Sequence, residues 1–292
     1  MKRLPLILPV LLVVVLTFPT KAQKINDLVS KYGSHNGKGY LEPLADAFGA
    51  NINSGFYHTA KVSAGFHLCL TVEAMAALIP DDKKKFTATT EDPFYPTTTT
   101  QAPTIFGSVD PVSVSGVGGT AYIFPGGLNV KNFPLAVPQL TVGSILGTEG
   151  TLRYVEVKVS SDVGTVKLLG GGVRHSISQY LIDFPLDLSV GFFIQKFDVG
   201  DIFAAKATFI GAQASYPVGI LTLYGGTGYE KSSVDVSYDS DTDSSKVKFK
   251  LDGANSVRFT VGVALQLAIL QIHGDYNLGS QSVVSAGVGF GF

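Results

Sequence analysis

The chain has 292 residues and a formal net charge of −1; charged residues are only 15% of it, where about a quarter is usual, and 33 residues are glycine. That balance lacks the basic footprint a nucleic-acid binder needs, so no nucleic-acid partner is expected. The single cysteine, Cys69, excludes an internal disulfide, and five histidines are too few to assemble a zinc framework from sequence.

The first 22 residues read as a secretory signal peptide. Lys2 and Arg3 precede an apolar run over residues 4–18, and Thr20-Lys21-Ala22 offers small residues to a signal peptidase, so the mature chain is expected to start at Gln23. The run falls short of the roughly 20 residues that a membrane-spanning helix needs, and no later segment reaches that length without Gly, Pro or charge. No cysteine follows the cleavage site to carry a lipid anchor. Removing the leader takes away three of the 22 basic residues against 23 acidic ones, which leaves a mildly acidic protein.

Residues 25–48 are the least β-like of the mature chain. Leu41, Leu44, Ala45 and Phe48 recur at helical spacing, Pro43 suits a first turn, and Gly49 could end the helix. From residue 60 to 74 the pattern changes to a period of two. Val62, Ala64, Phe66, Leu68, Leu70, Val72 and Ala74 alternate with Lys61, Ser63, Gly65, His67, Cys69, Thr71 and Glu73, a strand longer than a soluble sheet usually holds. A polar turn at 80–85, a returning strand at 86–90 and a Thr- and Pro-rich loop at 91–103 follow.

Further strands are expected at 120–125, 135–146, 150–159, 164–176, 186–197, 201–215, 218–237, 254–266, 268–277 and 282–292, separated by turn signals such as Gly147-Thr148-Glu149-Gly150 and Asn277-Leu278-Gly279-Ser280. With the two earlier strands this makes about twelve; residues 91–134 widen the range to 10–14. At the end of the chain Val284, Ala286, Val288, Phe290 and Phe292 alternate with Ser285, Gly287, Gly289 and Gly291. A strand with one greasy face is an aggregation edge in water, whereas a closed membrane barrel removes the edge and turns the greasy face to lipid. The fold expected is therefore all-β: a closed antiparallel transmembrane β-barrel over residues 53–292, preceded by a short helical segment at 23–52 that either packs on the rim or plugs the lumen. The competing fold, a soluble secreted β-sandwich, would leave the protein recoverable without detergent.

The same alternation assigns faces. Lys61, His67, Glu73, Arg258, Gln271, His273 and Asp275 are the candidate lumen-lining residues, and their mixed signs imply a wet or internally ion-paired lumen without strong ion selectivity. Ser285, Gly287, Gly289 and Gly291 form a bare luminal stripe: either the segment 41–53 presses against it, or the glycines relieve crowding in a narrow, curved wall. Tyr154, Tyr224, Tyr229, Tyr276, Phe290 and Phe292 fall near strand ends, where aromatic girdles lie. No catalytic site is expected. Gly170-Gly171-Gly172 lacks the Gly-Lys-Ser/Thr ending of a phosphate loop, and His273 with Asp275 has no serine in a recognised nucleophile motif. His67 and Cys69 are too few for a metal, and no cofactor is expected.

The final nine residues resemble the terminal strand of Gram-negative outer-membrane β-barrel proteins. The resemblance implies export to the outer membrane, contact with its lipid, and recognition of Phe290 and Phe292 by the barrel-assembly machinery. It also implies a periplasmic C-terminus, which puts the acidic loop at 238–245 outside; with twelve strands the same count puts the Thr-rich loop on the periplasmic side. The block Asn53-Ser54-Gly55-Phe56-Tyr57-His58-Thr59-Ala60-Lys61, with Pro80-Asp81, Pro138-Gln139-Leu140-Thr141-Val142-Gly143 and Arg153-Tyr154, looks like an uncharacterised family of secreted outer-membrane barrels, a likeness of fold and location only. A more distant architectural likeness is to long-chain fatty-acid transporters, whose Asn-Pro-Ala segment this chain lacks. Two functions follow as expectations: a passive channel or transporter for small or hydrophobic solutes gated by the N-terminal segment, or a structural, partner-binding protein with a filled lumen. A barrel of about twelve strands leaves more interior than side chains fill, which favours transport. Oligomeric state is not readable from the sequence.

Overall fold

A computed structural model describes residues 27–160, 164–240 and 246–291. The expected signal peptide, residues 241–245 of the acidic loop, and Phe292 lie outside them. The period-two segments form antiparallel strands that close into a ring. Its ten members are β1 (His67–Leu78), β6 (Asn132–Ile145), β7 (Thr148–Ser160), β8 (Gly164–Ser176), β9 (Asp187–Val199), β10 (Phe203–Val218), β11 (Leu221–Asp239), β13 (Val257–Leu267), β14 (Leu270–Leu278) and β15 (Val283–Gly291). β10 pairs with β11 and β15 returns to β1, so no edge of the ring is left open. One more strand, β12 (Lys246–Asp252), pairs only with the far part of β11, from Ser233 to Asp239.

The expected twelve staves are thus ten. The segments near 86–90 and 120–125 are strands, but they pair locally: β2 (Lys85–Thr89) with β3 (Thr99–Pro103), and β4 (Val112–Ser115) with β5 (Ala121–Phe124). Runs of four or five residues are too short to cross a bilayer, which takes about 9–11 tilted residues per strand. The first stave is also shifted, since its strand begins at His67 rather than at residue 60.

The two ends of the barrel differ. At one end, the turn end, β6–β7, β10–β11 and β13–β14 are joined by two-residue turns, and Leu146 and Gly147 both take the positive φ of a type I′ hairpin. At the other, the loop end, lie the connection at 79–131 with its two hairpins and the extension carrying β12. With ten staves the Thr-rich stretch sits at the loop end, on the opposite side from the C-terminal strand end.

Outward residues are apolar and uncovered: Leu152, Ile194, Ile210, Leu223, Phe259 and Val261 are among those exposed. A continuous greasy belt on a closed barrel is stable against lipid and not against water, so the ten strands span a membrane. No helix among the described residues is long and apolar enough to cross one. Tyr154, Tyr229 and Phe290 lie on the outer face, but Tyr224 is buried and points inward, which corrects its expected place in a girdle.

The helical spacing of Leu41, Leu44, Ala45 and Phe48 produces α1 (Ser34–Ile52), longer than the sequence pattern marked. Pro43 lies inside it rather than in its first turn, and Gly49 continues it rather than ending it. Glycine at 37 matters for a packing reason: a Cβ there would overlap the Tyr238 hydroxyl, which donates to the Tyr32 carbonyl at 3.0 Å. α1 buries most of its length, with Asp46 tied to Lys83 at 3.1 Å and to the Ala254 amide at 2.8 Å.

Candidate functional site in the barrel lumen

Inward side chains change character along the barrel axis. Running from the turn end towards the loop end, β1 presents Thr71 and Glu73, then Met75 and Ala77; β6 presents Gln139, then Val137 and Leu135; β11 presents Glu230 and Ser232, then Val234 and Val236. The lumen therefore has a polar half and an apolar half.

In the polar half two buried arginines hold the end of α1. Arg153 on β7 donates all five of its N–H groups: to Gln139 Oε1 (2.8 Å), Gln195 Oε1 (3.2 Å) and the carbonyls of Ile52 (3.1 Å), Ser54 (2.8 Å) and Gly55 (2.8 Å). Arg258 on β13 reaches the carbonyls of Ala50 (2.8 Å) and Asn53 (2.9 Å) and the Ser54 hydroxyl, and pairs with Glu230 at 2.9 Å. β7 and β13 stand five staves apart either way round the ring, so the two guanidiniums approach from opposite walls. A helix end leaves its last carbonyls without intrahelical donors and carries partial negative charge; here the wall supplies both the donors and the positive charge.

The chain beyond α1 is pinned in the same way down to the turn end. The Phe56 ring stacks on Phe193 with centroids 4.0 Å apart and lies beneath the Arg153 guanidinium at 4.2 Å. His58 stacks on His273 at 5.0 Å, the Ala60 amide donates to Ser215 Oγ at 2.9 Å, and Arg174 donates to the Thr59 carbonyl. Arg174 also makes a two-point pair with Glu149, at 2.9 and 2.5 Å.

The residues singled out from sequence fall into this half, with one at its margin. Glu73 and His273 meet at 3.0 Å; Arg258 holds α1; Asp275 accepts from the Tyr224 hydroxyl (2.8 Å) and the Asn277 amide (2.5 Å). His67 reaches Glu149 at 3.1 Å, and Gln271 Oε1 accepts from the Cys69 thiol at 3.3 Å. Lys61 lies on the irregular segment before β1 and is exposed. The bare stripe on β15 is filled by the wall itself. A Cβ at Gly287 would overlap His273 and Glu73, one at Gly289 would press on Thr71, and one at Gly291 would crowd Cys69. Ser285 accepts from Asn277 at 3.1 Å. The glycines thus make room for neighbouring side chains, while the segment from Leu41 to Asn53 is gripped by Arg153 and Arg258.

In the apolar half α1 does not fill the space. A cavity of about 420 Å³ lies between its Leu41, Leu44 and Phe48 and the wall, with Met75 and Leu135 on one side and Phe203 on the other, and its lining continues onto the outer-face residues Ala74, Pro134 and Val284. Every residue lining it is apolar except Ser285. Phe48 packs against Phe197 and Phe203 with centroids at 4.6 and 5.1 Å. At the loop end, burial works against the Lys83 ammonium, but the Asp46 carboxylate outweighs it and holds that amine above its ordinary range. Of the cavity lining, the sequence singles out Ser285 and the helix positions Leu41, Leu44 and Phe48, but not the apolar wall. The signal was there: a strand in which both faces are apolar, as in Ala74-Met75-Ala76-Ala77, breaks the polar-in pattern and marks a greasy stretch of lumen.

The sequence matches a single family model over residues 1–292. The chain belongs to the family of unknown function DUF6588. Among curated proteins none matches it in sequence. Solved structures similar to it include Ail, the attachment invasion locus protein of Yersinia pestis, at 10% identity over 79% of this chain and 100% of that one, with a TM-score of 0.29. A loop-deletion form of OmpT, an outer membrane protein of Vibrio cholerae, gives 12%, 78%, 98% and 0.30 on the same measures. The toluene transporter TbuX of Ralstonia pickettii gives 8%, 80%, 90% and 0.30. These are distant likenesses, and this family member has the β-barrel fold on its own strand pairing.

Proposed function

We propose that the protein is exported to the outer membrane of a Gram-negative cell, where it acts as a passive route for small hydrophobic solutes with the segment 34–60 as its plug. The observation that carries this reading is the cavity of about 420 Å³ whose lining is apolar but for Ser285. A barrel that passed ions or sugars would keep its lumen polar throughout. The C-terminal strand end faces the periplasm in this reading, so the apolar half opens towards the cell exterior, and Phe290 and Phe292 serve assembly. The second expected role, a filled structural or partner-binding barrel, draws on the packed polar half, where Arg153 and Arg258 leave the plug no slack.

Reconstitution separates the two. In vesicles whose outer leaflet is lipopolysaccharide, the wild-type protein is expected to speed entry of a neutral hydrophobic solute while remaining nearly silent in ionic conductance. Arg153→Gln with Arg258→Gln is expected to raise conductance by loosening the plug. A folded protein that is silent in uptake, in both forms, would favour the filled-barrel role.

A further inference from the structure

The cavity has a built-in preference about charge. A fatty acid or any other anionic amphiphile needs a cation at one end of its site, and two guanidiniums lie deeper along the same lumen. Neither is available for a headgroup. Arg153 has an acceptor within the protein for each of its five N–H groups. Arg258 is committed to Ala50, Asn53 and Ser54 through its two terminal nitrogens, its charge is matched by Glu230 at 2.9 Å, and the Nε–H that has no acceptor is buried. Lys83, at the loop end, is taken by Asp46 at 3.1 Å. Ser285, the one polar lining residue, accepts from Asn277 and offers at most a single hydroxyl proton, which does not replace a cation.

We infer that the luminal cavity is a binding site for an uncharged, compact apolar molecule, and that it rejects the same molecule bearing a carboxylate. This rests on the reading of the barrel as a route for hydrophobic solutes and names the class of solute. An apolar cavity without polar partners gains nothing from holding water, and it takes apolar ligands instead. Its volume, about 420 Å³, lies within the range of roughly 300–1,000 Å³ usual for small-molecule sites. A carboxylate entering it would give up its hydration with at most the Ser285 hydroxyl to replace it, because the buried arginines along the lumen are already paired. The two arginines that look like a headgroup receptor are the cap of α1.

The sequence contains no tryptophan, so a single introduced one is a clean reporter. Phe203→Trp places it on the cavity wall, Phe106→Trp is an independent reporter should the first not fold, and Leu223→Trp on the exposed outer face reports partition into detergent. Bromine quenches tryptophan on contact, and 1-bromooctane and 8-bromooctanoate differ only in the end group. Quenching by 1-bromooctane at the cavity reporters is expected to saturate, with at least tenfold more 8-bromooctanoate needed at pH 8, while the outer reporter responds linearly to both. Equal concentration dependence for the two probes overturns the charge preference. Quenching at the cavity that only parallels the outer reporter overturns the site. Saturable quenching without solute entry in the vesicle assay would leave the site standing and sink the transport reading alone; entry without saturable quenching would do the reverse.

Discussion

The two halves of the lumen achieve opposite ends with the same wall. Around the end of α1 the inward positions carry Arg153, Arg258, Gln139, Gln195 and Glu230, and the plug segment is hydrogen-bonded from both sides of the ring. Around the middle of α1 the inward positions carry Met75, Leu135, Phe197 and Phe203, and a cavity remains. Directional bonds fix a backbone segment in one place, whereas dispersion contacts tolerate a void and its occupant. The difference teaches that in this barrel position is set by polar groups and capacity by apolar ones.

Cutting into the polar half should cost most. Arg153→Met leaves the Ser54 and Gly55 carbonyls and two glutamine oxygens without donors, the Ile52 carbonyl keeping the Gln195 amide, and a loss of about 3–5 kcal/mol is expected in urea unfolding followed by circular dichroism in micelles. A loss under about 1 kcal/mol would mean that the grip on α1 is slack. In the apolar half, Leu44→Ala should cost about 2 kcal/mol, the low end for such truncations, because the methyl groups removed already border empty space. If the two variants lose the same amount, the contrast between the halves does not hold. The smallest effect belongs to the loop end. Lys83 is raised above its ordinary range in the folded state, so its pair with Asp46 contributes fully below the unfolded lysine value of about 10.4 and is lost as pH climbs through the folded one. Lys83→Met should lower the melting temperature at pH 8, and the gap to wild type should close as the pH passes beyond that range.

How far the sequence could be read follows from where each partner lies. The faces of β13 and β14 were plain, because Val257, Phe259, Val261 and Val263 meet lipid while Arg258, His273, Asp275 and Asn277 are buried, and a strict period of two records that division. The helix was visible for the same reason at a period of 3.6. Which short strands join the ring was not, because pairing is decided by neighbours: residues 85–89 have strand composition, yet only the nearby 99–103 is in reach of them. The part of Arg153 was hidden too, since its partners at Ile52, Ser54 and Gly55 are about a hundred positions away and are backbone atoms, which leave no mark in a sequence. The cavity is harder still, being a property of six separate strands and one helix face.

The course of the segment from α1 to β1 has a topological consequence. It starts at the loop end, where Gly33 donates to Glu91, passes the two arginines, and reaches the turn end, where the Gly65 carbonyl accepts from Ser144. An even-numbered barrel built of hairpins returns both of its ends to one side of the bilayer. Here the ten staves are joined by one luminal passage, so the parity is odd: Lys31 and Gly291 belong to opposite sides of the membrane, and a reagent confined to one aqueous compartment meets only one of them.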